Sequence, residues 1–171
     1  LNQGYGLTET CAATCITLAN DNSTSCVGPP QESAVIKLRD WVEGNYRNSD
    51  KDGEVGMRRG EILIGGPAVC DGYLVDPLNP DPDIVAKNAE DFVTIDGIRY
   101  FCTGDIGQIT PAGNMQIIDR KKDLVKLQMG EYVALSKVEN ALKSSKYTAL
   151  PMVYATSSMS YAIALICPNV P

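Results

Sequence analysis

The chain contains no histidine. Within its 171 residues this excludes Ser-His-Asp and Cys-His nucleophilic sites, whose general base is an imidazole, and most zinc sites. The six cysteines, Cys11, Cys15, Cys26, Cys70, Cys102 and Cys167, include no pair at CxxC spacing. Neither a zinc ribbon nor a thioredoxin-type motif is therefore present. Scattered thiols of this kind read as small buried residues of an intracellular, reducing compartment. Long hydrophobic runs are lacking as well. The longest purely apolar stretch, 161–167, falls far short of the roughly 20 residues a membrane-spanning helix needs. Basic runs are absent and the net charge is −6, which argues against nucleic acid as a partner. No initiator Met and no signal region stand at Leu1, and a strand-like run lies four residues from the end, so the expectation is a piece cut at both ends.

What remains is the composition of an ordinary globular protein, 44% apolar and 21% charged. Its length can bury a sizeable core as one domain, or one domain and a fraction. Strand signals recur at 34–39, at Ile62-Leu63-Ile64 between glycines, and on both sides of Asp96-Gly97, a two-residue hairpin signal. Pro111-Ala112-Gly113-Asn114 marks a further turn before Met115-Gln116-Ile117-Ile118. Short strands at this spacing predict a small antiparallel sheet or barrel. Small residues at 8–13 predict a helix, as do residues 84–88, which follow the loop Asn79-Pro80-Asp81-Pro82-Asp83. Ser136-Lys137-Val138-Glu139 reads as a capping box that opens another helix. Two strands, 152–154 and 161–166, form a hairpin around Ser157-Ser158. A β-rich segment to about Ile118 thus joins a shorter α+β segment through five consecutive charges, Asp119-Arg120-Lys121-Lys122-Asp123.

Three stretches could carry chemistry. In Gly4-Tyr5-Gly6-Leu7-Thr8-Glu9-Thr10 the glycines permit close backbone approach to a ligand, and Tyr5 could lie flat against a base. Thr8 could donate to a phosphate oxygen, and Glu9 is a hard oxygen donor suited to Mg²⁺. The same residues equally describe a turn into a helix, with Thr8 as N-cap and Glu9 favouring the dipole. Tyr100-Phe101-Cys102-Thr103-Gly104-Asp105 is a strand ending in a tight turn. Its Asp105 carboxylate could accept from both hydroxyls of a ribose, or simply sit at a turn. The charged run with Lys126 offers an Arg fork and Lys point charges to phosphate, or else forms a solvated linker.

Taken together and in this order, these stretches resemble the later signature motifs of the adenylate-forming superfamily of acyl-CoA synthetases, peptide-synthetase adenylation domains and luciferases. Val27-Gly28-Pro29-Pro30, Arg59-Gly60-Glu61-Ile62 and Gly72-Tyr73-Leu74 extend the likeness over nearly the whole chain. Residues 117–126 with Leu127-Gln128-Met129-Gly130-Glu131-Tyr132-Val133, and the insertion Trp41-Val42-Glu43-Gly44-Asn45-Tyr46, are most similar to long-chain fatty acyl-CoA synthetases. The resemblance implies a mixed α/β (α+β) fold. Residues 1–118 would be the end of a large AMP-binding domain, with the nucleotide loop and a small antiparallel β-barrel-like subdomain. Residues 119–123 would be a hinge, and 124–171 the truncated start of a small α+β C-terminal domain. It further implies an ATP-dependent ligation that forms acyl-AMP and then acyl-CoA, with ATP, AMP, a fatty acid and CoA as partners and Mg²⁺ as cofactor. An aryl or shorter-chain acid, or a non-catalytic nucleotide-binding module, are the alternatives.

By the same resemblance Gln3, Gly4 and Tyr5 would border the adenine, Gly6 would belong to the same nucleotide site, Thr8 would meet the phosphates, and Glu9 would hold Mg²⁺. Asp105 and Arg120 would bind the ribose, Lys122 would be the hinge, Lys126 would serve the thioester-forming conformation, and Gly130 would lie near CoA. Cys102 is a departure, since many relatives carry His or another residue before Thr103. The family's phosphate-binding loop, most of its acyl pocket and its late lysine are not among these residues. The piece alone is therefore expected to be inactive, and its parent to be free of a membrane span here but able to associate with a membrane or an organelle.

Overall fold

The computed structural model describes residues 2–49 and 57–169, and the chain divides into two compact units, Leu1–Ile118 and Asp119–Pro171. The first unit opens with a hairpin, β1 (Gly4–Leu7) against β2 (Ala12–Ile16), antiparallel with a bulge between Tyr5 and Gly6. The residues expected to form a helix at 8–13 make only one 3₁₀ turn, Thr8–Thr10. Cys11 and Ala12 then take positive φ, 52° and 96°, and the chain reverses into β2. Small residues permit a helix, but strand pairing wins here because Thr10 fixes the turn. Its hydroxyl accepts from the Leu7 amide at 3.1 Å and donates to the Leu7 carbonyl at 3.1 Å. Thr8 is accordingly not an N-cap; Leu7 holds that position. At Gly6 a Cβ would collide with the Ala12 carbonyl, so only glycine lets the two strands approach this closely.

The main sheet has the order β3 (Val35–Arg39), β4 (Arg59–Gly65), β6 (Ile98–Ile109), β5 (Phe92–Ile95), all antiparallel, with β7 (Met115–Arg120) also paired to β6. This is an open sheet and not a closed barrel. Strand β4 is buried along nearly its whole length. Ile62 and Ile64 pack with Cys15, Leu38 and Met115, whereas Leu63 packs with Tyr100 and Cys102. Core on both faces explains why its sequence is a continuous apolar run and not an alternation. Burial also pushes the Cys15 thiol up to about 11.

Asp96-Gly97 forms the expected turn, with φ of 52° and 78° at the two residues, as a type I′ hairpin requires. Trp41-Val42-Glu43-Gly44-Asn45-Tyr46 closes on itself, with the Trp41 and Tyr46 rings stacked 6.2 Å apart. Helix α1 (Pro82–Asp91) is longer than the 84–88 expected. Asp81 caps it by accepting from the Asp83 amide at 2.9 Å, and Pro82 occupies the first turn.

The second unit contains the hairpin β8 (Leu124–Lys126) with β9 (Tyr132–Ala134), helix α2 (Leu135–Lys143), and the hairpin β10 (Thr148–Tyr154) with β11 (Ile163–Pro168). The capping box expected at Ser136 and Glu139 is not formed. Ala134 is the N-cap, and the Glu139 carboxylate instead accepts from the Val153 amide of β10 at 2.8 Å. A tertiary partner has taken the side chain that local pattern reserved for the cap. No helix of the described residues is long and apolar enough to cross a membrane, and all six cysteines are free. Three of them are buried and Cys70 is half-buried, as most scattered thiols are, while Cys11 and Cys167 are exposed.

Candidate active site

Strand β1 and the middle of β6 meet in the first unit. The Tyr5 hydroxyl donates to Asp105 Oδ2 at 2.7 Å, joining two of the sequence-predicted residues across 100 positions of chain. Burial, aided by the Asp105 charge, holds the Tyr5 phenol far above its ordinary value, so it stays a donor. With its hydroxyl committed to Asp105, Tyr5 fixes one carboxylate oxygen, and its half-buried ring packs against the core around Cys15, Ile62 and Met115. Gln3, Gly4, Gly6 and Thr8 are exposed around it. Gln3 is pinned at the strand start, its amide donating to Thr17 Oγ1 at 2.9 Å.

Asp105 itself sits in an irregularity of the sheet. The β4–β6 register passes from Glu61 opposite Ile106 to Leu63 opposite Cys102, so Thr103, Gly104 and Asp105 bulge opposite Ile62. Gly104 takes φ of 71°, a left-handed conformation suited to glycine. The bulge is held on both sides. Thr103 Oγ1 donates to the Ile62 carbonyl at 2.8 Å and accepts from the Asp105 amide at 3.0 Å. The Gly104 amide donates to Glu61 Oε1 at 3.3 Å, while Glu61 Oε2 accepts from Arg39 Nε at 2.8 Å. Glu61, 2% exposed, is thus a buried charge with both oxygens in use. In the sequence Glu61 stands only within the motif Arg59-Gly60-Glu61-Ile62, which assigns it no role.

Glu9 lies half-buried in the 3₁₀ turn. Its Oε1 accepts from the Tyr73 hydroxyl at 2.8 Å, and that hydroxyl also lies 3.3 Å from Asp91 Oδ2. Asp91 is paired with Lys87 at 2.6 Å, one helical turn away on α1. Burial first, then the two carboxylates, push the Tyr73 phenol well above its ordinary range. Tyr73 and Asp91 escaped the sequence reading. The only signal was Gly72-Tyr73-Leu74, which carries no spacing relation to Glu9.

The remaining candidates belong to the second unit or to its boundary. Arg120 ends β7 with an exposed side chain, and its amide donates to Asp119 Oδ1 at 2.9 Å. Asp119 is not solvated, as a loop reading of the charged run would have it: it is buried and paired with Lys137 at 3.1 Å. Lys122 is exposed within a second 3₁₀ turn, Lys121–Asp123. Lys126 is exposed with its ammonium 5.6 Å from the centre of the Tyr132 ring. Gly130, with φ of 91°, closes the turn between β8 and β9, its amide donating to the Leu127 carbonyl at 2.9 Å.

The family model described as AMP-binding enzyme matches residues 1–74. Long chain acyl-CoA synthetase 8 of Arabidopsis thaliana is 47% identical over 169 residues, covering 99% of this chain and 22% of that protein. Long-chain-fatty-acid–CoA ligase 1 of Homo sapiens is 39% identical over 168 residues, covering 98% and 22%. This chain therefore spans about a fifth of the length of the curated relatives it matches. Among solved structures, the A domain of carboxylic acid reductase from Segniliparus rugosus, in complex with AMP and a co-purified carboxylic acid, superposes with a TM-score of 0.72 at 30% identity, covering 98% of this chain and 23% of that one. O-succinylbenzoate coenzyme A synthetase from Bacillus subtilis, in complex with ATP and magnesium ion, gives 0.71 at 25% identity, covering 99% and 32%. The chain belongs to the AMP-binding, adenylate-forming superfamily, and aligns along nearly its whole length with members named as long-chain acyl-CoA synthetases.

Proposed function

We propose that the protein containing this chain is an ATP-dependent long-chain fatty acid–CoA ligase, and that this chain supplies its nucleotide-facing residues. In that reaction a fatty carboxylate oxygen attacks the α-phosphorus of ATP and pyrophosphate leaves, giving acyl-AMP. The CoA thiol then attacks the acyl carbonyl and AMP leaves. Such chemistry rests on positioning and charge neutralisation and needs no covalent nucleophile, which suits residues without a histidine. The observation that carries the reading is the Tyr5–Asp105 hydrogen bond, which brings an aromatic face and a fixed carboxylate together in a chain similar to acyl-CoA synthetases. Adenine would lie against Tyr5, with Gln3, Gly4 and Gly6 alongside, and ribose hydroxyls would donate to Asp105. Thr8 would meet the phosphates, Arg120 the ribose, and Lys126 the thioester-forming step. Gly130 would lie near CoA.

The donor set fits magnesium in one specific way. Among the described residues no three His, Cys, Asp or Glu side chains converge into a cage. Glu9 offers Oε2, which takes no hydrogen bond among the described residues, while Oε1 is held by Tyr73. One carboxylate, shared with substrate phosphates and waters, is how Mg²⁺ is commonly bound. When bound, the ion would neutralise triphosphate charge. Free thiols throughout are compatible with an intracellular, reducing location.

The likeness to o-succinylbenzoate coenzyme A synthetase favours one second reading, an aryl or shorter acid. A panel of acids offered to the full-length protein decides between them, with AMP and acyl-CoA measured by mass spectrometry. Long-chain acids are expected to be turned over fastest, and turnover confined to aryl acids would reverse the assignment. Glu9→Gln in that protein should lower Mg²⁺-dependent adenylation by on the order of tenfold or more; an unchanged rate would remove Glu9 from the site.

A further inference from the structure

The network beyond Glu9 has features that a surface tyrosine does not need. Tyr73 is clamped by its backbone: its amide donates to Asn88 Oδ1 at 2.7 Å, and its carbonyl accepts from Asn88 Nδ2 at 2.9 Å. Gly72, with φ of 129°, packs so closely on Asn88 that a Cβ would lie 2.8 Å from Oδ1. The ring is fixed too, edge-on to Phe92 with centroids 5.5 Å apart. Main chain and ring together leave the hydroxyl little freedom. It points at Glu9.

A phenol has one proton and can donate to one carboxylate at a time. Two carboxylates lie within reach, Glu9 at 2.8 Å and Asp91 at 3.3 Å. Lys87 decides the competition. Its ammonium sits 2.6 Å from the same Asp91 oxygen and 5.3 Å from the centre of the Tyr73 ring. Asp91 is therefore satisfied by a cation, and the phenolic proton goes to Glu9. Lys87, Asn88 and Asp91 lie at spacings that share one face of α1, so a single helix face supplies the clamp and the competitor.

We propose that Tyr73 is a positioning residue for a magnesium–nucleoside triphosphate: it anchors Glu9 Oε1, so that Oε2 alone is presented to the metal, with Lys87 and Asp91 setting the direction of its proton. This rests on the reading of Glu9 given above. Without the hydroxyl, Glu9 Oε1 loses its donor, and the carboxylate is no longer held in one orientation.

The test uses the full-length protein containing this chain and calorimetric ATP titrations, once with Mg²⁺ and once with EDTA. Thermal melting runs in parallel. Tyr73→Phe keeps the ring and its packing and removes only the hydroxyl. It is expected to weaken Mg²⁺-dependent ATP binding by about tenfold. Metal-free binding and melting temperature should match the unmodified protein. Lys87→Met, which removes the cation paired with Asp91 and its weaker electrostatic pull on Glu9, is expected to shift Mg²⁺-dependent binding the same way by about threefold, and Lys87→Arg to restore it. Glu9→Gln serves as the reference. If Glu9→Gln abolishes the Mg²⁺ dependence while Tyr73→Phe leaves it intact, the positioning role is overturned and the role of Glu9 survives. If Glu9→Gln itself changes nothing, the role of Glu9 falls and the inference with it. Equal losses with and without Mg²⁺ in Tyr73→Phe would reveal a merely structural hydroxyl and also overturn the proposal.

Discussion

At the scale of single residues, the candidate site is held by side chains whose roles are only visible in three dimensions. Glu61 is the clearest. Its carboxylate is 2% exposed and divides its two oxygens between Arg39 and the Gly104 amide. Truncation to alanine would strand that amide in the sheet, while Arg39, whose side chain is 43% exposed, can rehydrate. The cost is therefore set mainly by the amide and the vacated space, about 2 kcal/mol, below what breaking a fully buried pair exacts. Glu61→Ala should lower the urea midpoint accordingly, and Glu61→Gln, which keeps an acceptor for Gly104, should lower it less. Identical midpoints for the two variants would show that the carboxylate does not hold the bulge. Asp105 and Glu9 were legible as candidates because their motifs are contiguous. Their pairings were not: Tyr73 lies 64 positions from Glu9, and Tyr5, itself a candidate, 100 from Asp105, distances over which no periodicity operates.

At the scale of elements, legibility followed how local the deciding interaction is. Asp96-Gly97 and Gly113 specify their turns by backbone conformation alone, with φ of 52°, 78° and 83°, and both were readable. The region 8–13 was misread because a hydroxyl–backbone bond from Thr10 and pairing with β1 outweigh helix permissiveness. Likewise, Glu139 serves β10 and not its own helix. The 3₁₀ turn Lys121–Asp123 lies within the segment 119–123 expected to act as a hinge. Lys122 is exposed there, so its replacement costs little packing. Proline at this position would fix φ near −65° and disfavour the helical backbone of Lys121, restricting the conformations open to the turn. If the turn serves as a hinge between the half-reactions, Lys122→Pro in the full-length protein should slow thioester formation and adenylation unequally, as single-turnover rates would show. Equal slowing would argue that the turn is only a connector.

At the scale of the whole molecule, the two units carry different parts of the proposed chemistry. The unit Leu1–Ile118 contains the Tyr5–Asp105 and Glu9–Tyr73 pairs, and the unit Asp119–Pro171 carries Lys122, Lys126 and Gly130. On the proposed reading each pair would fix a direction for a ligand group, yet a ligase must align an acid, a triphosphate and a thiol at once. Misplacement by an ångström already costs on the order of a hundredfold in rate. The chain spans 22% of the acyl-CoA synthetases it matches, and the resemblance puts the phosphate loop, most of the acyl pocket and the late lysine in the rest of the protein. On the proposed reading, an adenine face, a ribose carboxylate and Thr8 without the phosphate loop would recognise part of AMP and leave the reacting atoms unaligned. Residues 1–171 purified alone should therefore form no acyl-CoA from palmitate, ATP, Mg²⁺ and CoA by mass spectrometry. By calorimetry they should bind AMP far more weakly than the full-length protein does. Measurable thioester formation by the isolated chain would mean that these residues hold a complete active site, and the division of labour argued here would have to be abandoned.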